Sequence, residues 1–460
     1  MSFVLIYLVK DFPFFWDSVQ LSSQQATWVY KHNSFLLPNS IDSGHPPGMG
    51  WYLAQVWTFF GRNLVSSHFA MLPWLILFLS GTGILLKRLT GYISAQWCAL
   101  IFLLDPVFVS HFTLISPDLI LMSAFVWALL GMYQRNAWFI CLSIFVLCAI
   151  SLRGMMISAV IFIFVVIRNY GSGFRRIYWS YIAFIPGFLL GILFLFYHYE
   201  AKGWIGHSIA SPWAPSFERV GIIGFIRNGL VLIWRVFDFG RVGILLFLGG
   251  TFILYRKSDI FRQTGVKSLL LLILVAFVII APSMLIHSGI LAHRYLLPIF
   301  YLITILSVVI AYLYYENRIS NVFLLLISTC VFLSGHWWKY PKGVSMGWDC
   351  STIHWQFFPV FDETLKYMEA NDISADSIYT WFPLNKKIDD LNLGGRTDAF
   401  SNVDKNRPYW LVCTVMNEAP TNLLEDTIDH EVLFEARNGA ILIRLIRNDF
   451  NGKAQPQGAK

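Results

Sequence analysis

The sequence contains about ten predominantly apolar runs, each close to the length that an α-helix needs to cross a lipid bilayer. The hydrocarbon core is about 30 Å thick, so a crossing helix requires about 20 such residues. The fourth, fifth and seventh runs are short, and an alternative for the fourth and fifth is one helical hairpin broken around Arg153-Gly154. We predict spans near residues 64–86, 93–112, 117–134, 137–152, 154–168, 178–198, 240–255, 268–286, 295–315 and 321–336.

The composition excludes a soluble globular protein. Of the 460 residues, 56% are hydrophobic and 13% are charged, whereas soluble domains are about 25% charged because their surface faces water. Lipid must therefore cover much of this chain. Aromatic residues make up 17% of it, which is typical of proteins whose rings lie at the level of the lipid headgroups. The sequence thus predicts an all-α, multi-pass membrane protein with about ten transmembrane helices.

The positive charge is concentrated in the apolar part of the chain. Residues 1–338 carry 21 Lys and Arg against 10 Asp and Glu, and residues 339–460 carry 13 against 17. If alternate loops are assigned to one side of the membrane, that side collects most basic residues, as cytoplasmic loops do. This rule accounts for the charge, so we do not expect a nucleic-acid partner. The basic side comprises Lys87, Arg88, Arg135, Arg168, Arg175, Arg176, Arg256, Lys257, Arg262, Lys267 and Arg318.

The long polar segments fall on the opposite, outer side. They are residues 1–63, 199–239, 287–294 and the chain from about 337, and the first of them contains amphipathic stretches that suit helices at the membrane surface. An outward-facing amino end needs a segment that carries it across the membrane, and the apolar run 2–9 is too short for a span. We therefore expect the chain to begin inside a first helix whose earlier part is absent.

Beyond residue 338 the pattern changes to that of a small soluble α/β domain. Its apolar periodicity predicts an amphipathic helix at 359–371 and strands at 373–382, 409–415 and 440–446. We therefore divide the chain into a membrane-embedded domain at 1–338, an extracytoplasmic domain at 339–450 and a flexible tail at 451–460.

Acidic residues are rare in the membrane domain, and an acid near membrane depth is costly unless it has a function. Asp17 follows the aromatic stretch Phe14-Phe15-Trp16, a context that suits a carboxylate at the lipid boundary, and the alternative is a helix cap. Asp118 opens the third span, where an acid also stabilises a helix N-terminus. Asp105 precedes Pro106, and we favour a structural role for it. Asp238 is the fourth acid of this kind.

Basic and polar positions complete the candidate site. His45 lies in a Gly-His-Pro-Pro turn, from which it can bind a phosphate or a metal or donate a hydrogen bond, although a lone histidine usually does none of these. Arg153 falls between two apolar runs, so its guanidinium needs an anion or a water-filled cavity beside it. Arg294, which precedes Tyr295, lies at the outer end of a span, where it can either clamp a phosphate or extend to the lipid headgroups.

In their order and spacing, several short motifs resemble those of the GT-C glycosyltransferases, and most of all the protein O-mannosyltransferases and the lipid A aminoarabinose transferases. No single motif is specific, and the resemblance covers about residues 14–170 and the arginine at 294. The motifs are Phe14-Phe15-Trp16-Asp17, Gly44-His45-Pro46-Pro47 with Trp51, Phe60-Gly61, Lys87-Arg88-Leu89, Ser116-Pro117-Asp118-Leu119, Leu152-Arg153-Gly154 and Arg294-Tyr295-Leu296-Leu297-Pro298.

The resemblance implies an inverting enzyme that takes a hexose or pentose from a polyprenyl-phosphate carrier and passes it to a lipid, glycan or protein acceptor. It places this enzyme in a bacterial inner membrane, among membrane lipids, with its active site on the periplasmic side. Asp17 matches the acid expected to be the general base, and Asp118 matches a second acidic position. Arg153 and Arg294 match positions expected to contact the lipid-linked phosphate. A second acid often follows the first in the family, and this chain has Ser18 there, which leaves the need for Mg²⁺ or Mn²⁺ open.

Two other classes of membrane protein share some of these features. A lipid-linked-oligosaccharide flippase or transporter, which performs no chemistry, also carries charges inside the membrane. However, the sequence has no inverted repeat, and alternating access needs neither a long outer loop nor a soluble outer domain. A sensor or scaffold that uses the outer domain as a binding module gives no account of Arg153. We therefore favour the glycosyltransferase.

Overall fold

Among the residues that the structure describes, five helices are long and apolar enough to cross a membrane, or six if one bent pair of helices counts as a span. Together with the composition, they indicate an integral membrane protein. The predicted number of ten spans is not confirmed, because several of the apolar helices are too short to cross a membrane.

The structure is a computed structural model that describes residues 1–169, 181–208, 214–255, 263–314, 319–340, 347, 349–381, 384–414 and 430–448. The predicted flexible tail at 451–460 and the predicted inner loops near 170 and 260 lie outside these residues.

The α-helices of the described membrane domain are numbered in chain order. They are α1 (Ser2–Val9), α2 (Gln25–His32), α3 (Gly48–Phe60), α4 (Leu64–Phe69), α5 (Leu72–Thr90), α6 (Pro106–Thr113), α7 (Pro117–Gln134), α8 (Ala137–Ile150), α9 (Leu152–Asn169), α10 (Ile185–Lys202), α11 (Ile222–Phe237), α12 (Arg241–Tyr255), α13 (Thr264–Ile286), α14 (Leu297–Tyr314) and α15 (Ile319–Ser334). The five candidate spans are Leu64–Thr90, Pro117–Gln134, Leu152–Asn169, Thr264–Ile286 and His293–Leu313.

The predicted second span is a bent pair and not one straight helix. A 3₁₀-helix at Ile93–Leu103 meets α6 at an angle of 74°. The bend lies at Asp105, whose carboxylate accepts hydrogen bonds from the first amides of α6 at 2.9 and 3.3 Å. The same carboxylate binds Arg241 of α12 at 2.5 and 2.7 Å. The structural role predicted for Asp105 is therefore confirmed.

The fourth and fifth apolar runs form two separate helices. The break lies at Ser151, whose backbone is extended, so Arg153 falls in the first turn of α9. The Ser151 hydroxyl accepts a hydrogen bond from the Gly154 amide at 3.0 Å. Gly154 allows a close approach of the two helices, because a Cβ atom there would lie 1.9 Å from the Leu147 carbonyl oxygen. Any larger residue at 154 would force α8 and α9 apart.

The part of the first outer segment that directly follows Asp17 is packed inside the protein, which differs from the interfacial helix that we predicted there. A π-helical turn at Val19–Gln24 leads directly into α2. Several polar side chains of this segment are buried because it packs closely against α3. A Cβ atom at Gly50 of α3 would lie 2.7 Å from the Gln25 side chain. The protein itself, and not lipid, therefore covers most of this segment.

The described part of the C-terminal region is a small α/β unit with a four-stranded sheet. It contains α16 (Phe357–Ala370), α17 (Ile388–Asn392), β1 (Ile378–Tyr379), β2 (Tyr409–Thr414), β3 (Val432–Asn438) and β4 (Ile441–Arg447). The sheet order is β1-β2-β4-β3, with β1 parallel to β2 and the other pairs antiparallel. The predicted helix and the last two predicted strands are confirmed. The first predicted strand is reduced to two residues, and β3 was missed because it is largely exposed and carries charges.

The C-terminal unit is in direct contact with the first outer segment. The Phe14 amide donates a hydrogen bond to the carbonyl of Leu391 in α17 at 2.8 Å. Gln24 donates to Asp390 at 2.8 Å. Arg62 forms an ion pair with Asp389 at 2.8 Å. These contacts put the C-terminal unit and the turn that contains Asp17 on the same side of the molecule, as the sequence predicts.

Candidate active site

Asp17 lies where a tight turn after α1 enters the helical segment that contains the π-helical turn Val19–Gln24. Trp16 adopts a left-handed backbone conformation with φ 55°. The Ser18 hydroxyl donates a hydrogen bond to the Phe15 carbonyl at 2.6 Å and closes the turn. The helical segment begins at Asp17 and Ser18 and continues through Val19–Gln24. Asp17 thus stands at a helix start, as the helix-cap alternative has it, but its Oδ1 atom accepts no hydrogen bond from a described residue and its Oδ2 atom is paired with Arg294.

The Asp17 carboxylate forms an ion pair with the Arg294 guanidinium. Its Oδ1 atom is buried and has no hydrogen-bond partner among the described residues. Burial raises the pKa of Asp17 above its usual range, and the positive charge of Arg294 opposes this shift. A buried carboxylate with a raised pKa and an unused oxygen is well suited to accept a proton.

Asp118 and Arg153 form a second buried ion pair. Arg153 Nη1 lies 2.5 Å from Asp118 Oδ1, and His111 Nδ1 lies 3.5 Å from Asp118 Oδ2. Asp118 is in the first turn of α7, as the helix-terminus alternative predicts, but it also has this specific basic partner. The anion that we predicted beside Arg153 is therefore Asp118.

The two ion pairs are joined into one cluster. Arg153 Nη1 donates a hydrogen bond to the Arg294 carbonyl at 3.1 Å. Both guanidinium groups stack on the Tyr295 ring, each with Cζ at 5.2 Å from the ring centroid. Arg294 Nη2 also donates to the Tyr295 hydroxyl at 3.3 Å. The structure thus brings together Asp17, Asp118, Arg153, Arg294 and Tyr295.

A cavity of about 140 Å³ lies beside this cluster. Four predicted site residues line it, namely Asp17, His45, Arg294 and Tyr295. Its other walls include His207, Ser216, Phe217 and residues from 289–292, which belong to the predicted outer loops. Asp118 and Arg153 are not among the lining residues, but Arg153 contacts two residues that are, Arg294 and Tyr295. The cavity therefore combines a carboxylate, a guanidinium, an imidazole and a phenol at one place.

His45 is a neutral group in this cavity. Burial lowers its pKa to about 3, and the positive charges of Arg153 and Arg294 add to this effect. Its Nδ1 atom is buried without a hydrogen-bond partner among the described residues. A neutral imidazole can donate one hydrogen bond and accept another, but it supplies no charge for binding an anion.

The loop that carries His45 is anchored by Asp42. Asp42 accepts a hydrogen bond from the Gly44 amide at 2.8 Å, and its other carboxylate oxygen lies 3.1 Å from Nε2 of His198 in α10. Gly44 has φ 72° and lies so close to the Gly206 carbonyl that a Cβ atom would approach it to 2.3 Å. Only glycine fits this position, and the position of His45 is fixed as a result.

We expect His45→Gln to make the protein less sensitive to mild acid. Because the folded protein holds His45 neutral down to a pH of about 3, protonation in the unfolded chain favours unfolding as the pH falls below about 6.5. The wild type should therefore lose up to about 1.4 kcal/mol more than the variant for each pH unit below 6.5. Unfolding midpoints of both proteins at pH 7.5 and 5.5 measure this difference, and equal losses in both would contradict the buried, neutral state.

Three charged or titratable residues near the cluster were not predicted as site residues, or were noted without a partner. They are Asp349, His293 and Asp238. Asp349 accepts a hydrogen bond from the Arg294 amide at 2.7 Å and so holds the backbone of that residue. His293 Nε2 lies 3.1 Å from Asp238 Oδ2, which also binds Arg235 at 3.2 Å. Asp238 was recognised as a rare acid. Asp349 gave no signal, because it follows the last apolar run in a segment without periodicity.

The position of a metal is not assigned. Among the described residues there is no group of three or more His, Cys, Asp or Glu side chains that could hold a metal ion. The two acids of the cluster are each paired with an arginine.

Comparisons with known proteins identify the fold. No protein-family profile matches the chain, and no curated protein matches its sequence significantly. Among solved structures, ArnT from Cupriavidus metallidurans bound to undecaprenyl phosphate is similar, with a TM-score of 0.55, 12% identity and 96% of each chain covered. ArnT from the same organism in the apo state is similar with a TM-score of 0.54, the same identity and the same coverage. ArnT is a GT-C lipid A aminoarabinose transferase. The chain therefore has the ArnT fold, which confirms at the level of the fold the GT-C resemblance drawn from the sequence.

Proposed function

We propose that this chain is an integral membrane glycosyltransferase. It transfers a hexose or pentose, with inversion, from a polyprenyl-phosphate donor to an acceptor on the outer face of the membrane. Asp17 is the general base, and Arg294, supported by Arg153 and Tyr295, binds the donor phosphate. The observation that carries this proposal is that Asp17 and Arg294 line the same cavity.

The chemistry of the transfer needs the two kinds of group that meet in this cavity. An acceptor hydroxyl is a weak nucleophile, so a carboxylate must take its proton as the bond to the anomeric carbon forms. The departing carrier phosphate is already an anion, so it needs a cation and not an acid. Inversion requires attack on the face of the sugar opposite to the phosphate. Asp17 Oδ1 and the Arg294 guanidinium are the right kinds of group for these two tasks, but they are in direct contact in the structure, so the proposal requires their ion pair to open when the donor enters.

The nature of the donor is supported by the structural neighbours. One of the similar ArnT structures is bound to undecaprenyl phosphate, and this chain has the same fold with a cationic cluster beside its cavity. A polyprenyl phosphate is therefore the carrier that we propose. The acceptor is a lipid, a glycan or a protein that reaches the cavity from the outer side, where the C-terminal unit contacts the first outer segment.

The test is a transfer assay in membranes that contain the protein. Polyprenyl phosphates that carry a labelled hexose or pentose are added, and the label is followed into lipid, glycan and protein fractions. We expect label to leave the carrier only when the protein is present. If the protein binds the labelled donor or moves it across the bilayer without releasing the sugar, the flippase or transporter alternative replaces this proposal.

The outer location makes a separate prediction that thiol labelling can check. Glu369 of the C-terminal unit and Lys87 at the end of α5 are both exposed and belong to opposite predicted sides. In intact cells, an impermeant thiol reagent should label Glu369→Cys and should label Lys87→Cys only after the membrane is permeabilised. The unsubstituted chain gives the background from its own six cysteines. Labelling of Lys87→Cys in intact cells would reverse the proposed orientation.

A further inference from the structure

A second polar cavity, of about 450 Å³, lies at the opposite end of the membrane helices. It is lined by the C-terminal ends of α5, α7 and α9 and by the N-terminal end of α13. Asp118 and this cavity lie at the two ends of α7, which has 18 residues and is therefore about 27 Å long. The cavity is thus separated from the candidate active site by about the thickness of the hydrocarbon core.

Three arginines from three different helices converge on this cavity. They are Arg88, Arg135 and Arg168, and no acidic residue is among the lining residues. All three side chains are exposed, so the cavity is an open basic recess, and none of the three forms an ion pair with a described residue. Like charges that converge in this way repel one another unless an anion lies between them.

The fourth wall of the cavity also favours an anion. Thr264, Gly265 and Ser268 belong to the first turns of α13, a helix of 23 residues whose N-terminus has no side-chain cap. Free amides and the helix dipole at such an end attract negative charge, and the two hydroxyl groups are additional hydrogen-bond donors. Guanidinium groups, hydroxyls and a helix N-terminus together are the donors that bind phosphate oxygens.

The surroundings of the cavity indicate where the phosphate comes from. Val166 and Ile167 directly precede Arg168 on α9 and are 38% and 45% exposed, so they face lipid and not the protein core. Arg168 itself stacks on the Tyr133 ring, with Cζ 5.4 Å from the centroid. We propose that this cavity binds the phosphate headgroup of an anionic phospholipid, whose acyl chains lie against the apolar surface beside Arg168. This site does not depend on the proposed glycosyltransferase activity.

The test measures lipid binding by the full chain, purified in a neutral detergent, with native mass spectrometry. Phosphatidylglycerol is the probe, zwitterionic phosphatidylcholine is the comparison without net charge, and inorganic phosphate is added in a separate arm. We expect one tightly bound phosphatidylglycerol in the wild type. Arg88→Gln and Arg168→Gln should each weaken its binding about fivefold, the usual contribution of one basic residue near an anionic headgroup.

Lys87→Gln is the matched control, because Lys87 is exposed at the same end of α5 but does not line the cavity. This variant should bind phosphatidylglycerol as the wild type does. An equal loss in Lys87→Gln would overturn the proposal, since it would show an effect of net charge only. Binding of inorganic phosphate without binding of phosphatidylglycerol would overturn the lipid assignment. Unfolding midpoints in lipid-free detergent should be the same for all variants, which separates lost binding from lost folding.

Discussion

Replacing Asp17 with asparagine is expected to lower the transfer rate about 10²- to 10⁴-fold, which is the usual contribution of a positioned general base. Asparagine keeps the shape of the side chain and can still hydrogen-bond to Arg294, but it cannot take the proton of the acceptor. Binding of the donor should stay at least as tight as in the wild type, because Arg294 loses a competing carboxylate. Initial transfer rates and donor Kd values in the same membranes measure both quantities.

Two further aspartate variants make the Asp17 result specific. Asp398→Asn removes a carboxylate that is also paired with an arginine, but in the C-terminal unit and away from the cavity, and its rate should stay near that of the wild type. Asp118→Asn affects the cavity only through Arg153, so its loss should be smaller than that of Asp17→Asn. If Asp17→Asn keeps more than about a tenth of the rate, the base lies elsewhere and Asp118 is the first candidate.

Arg294→Ala should weaken donor binding more than acceptor binding. Removing a cation that binds a phosphate in a buried site costs about 2 to 5 kcal/mol, which corresponds to about 30-fold to several thousand-fold in Kd. Arg153→Ala should act in the same direction but less strongly, since Arg153 does not line the cavity and reaches it through Arg294 and Tyr295. Donor Kd values for purified protein and the acceptor KM in the transfer assay separate the two effects.

Arg241→Ala is the matched control for Arg294→Ala. Arg241 is equally buried and is paired with Asp105, but it is not among the residues that line the cavity. The Arg241→Ala protein should be less stable, because Asp105 is left as a buried charge without its partner. Its folded fraction should bind the donor normally. A donor Kd that is unchanged in both Arg294→Ala and Arg153→Ala would reject the phosphate-binding role.

Much of the candidate site can be found from the sequence because charges are rare in apolar runs. Asp118 and Arg153 each stand out on this ground, and the cost of burying a lone charge predicts that each has a partner. The sequence does not say which partner, and the structure pairs them with each other. Asp17 and Arg294 are far apart along the sequence of the membrane domain, so their contact depends on the packing of the many helices that lie between them in the chain.

Other features cannot be predicted from the sequence, for physical reasons. The sequence signals a break at Asp105-Pro106, because proline cannot continue a helix, but it does not reveal that Asp105 is paired with Arg241 of a distant helix. Asp349 holds the Arg294 backbone from a segment that belongs to the predicted outer domain. A site residue therefore lies beyond the predicted domain boundary near 338. A periodic pattern shows which face of an element is buried, but it gives no information about single contacts of this kind.

The ion pair between Asp17 and Arg294 has a consequence for the order of events during catalysis. In the protein without substrate, the proposed base and the proposed phosphate-binding group neutralise each other. A donor phosphate that binds Arg294 must compete with Asp17 for the guanidinium, and the carboxylate that it displaces becomes free to take a proton. On the proposed function, the enzyme therefore follows an ordered kinetic scheme in which the donor binds first. Until the donor has bound, the positive charge of Arg294 lowers the basicity of Asp17, so an acceptor or a water molecule that enters the empty cavity meets a weaker base.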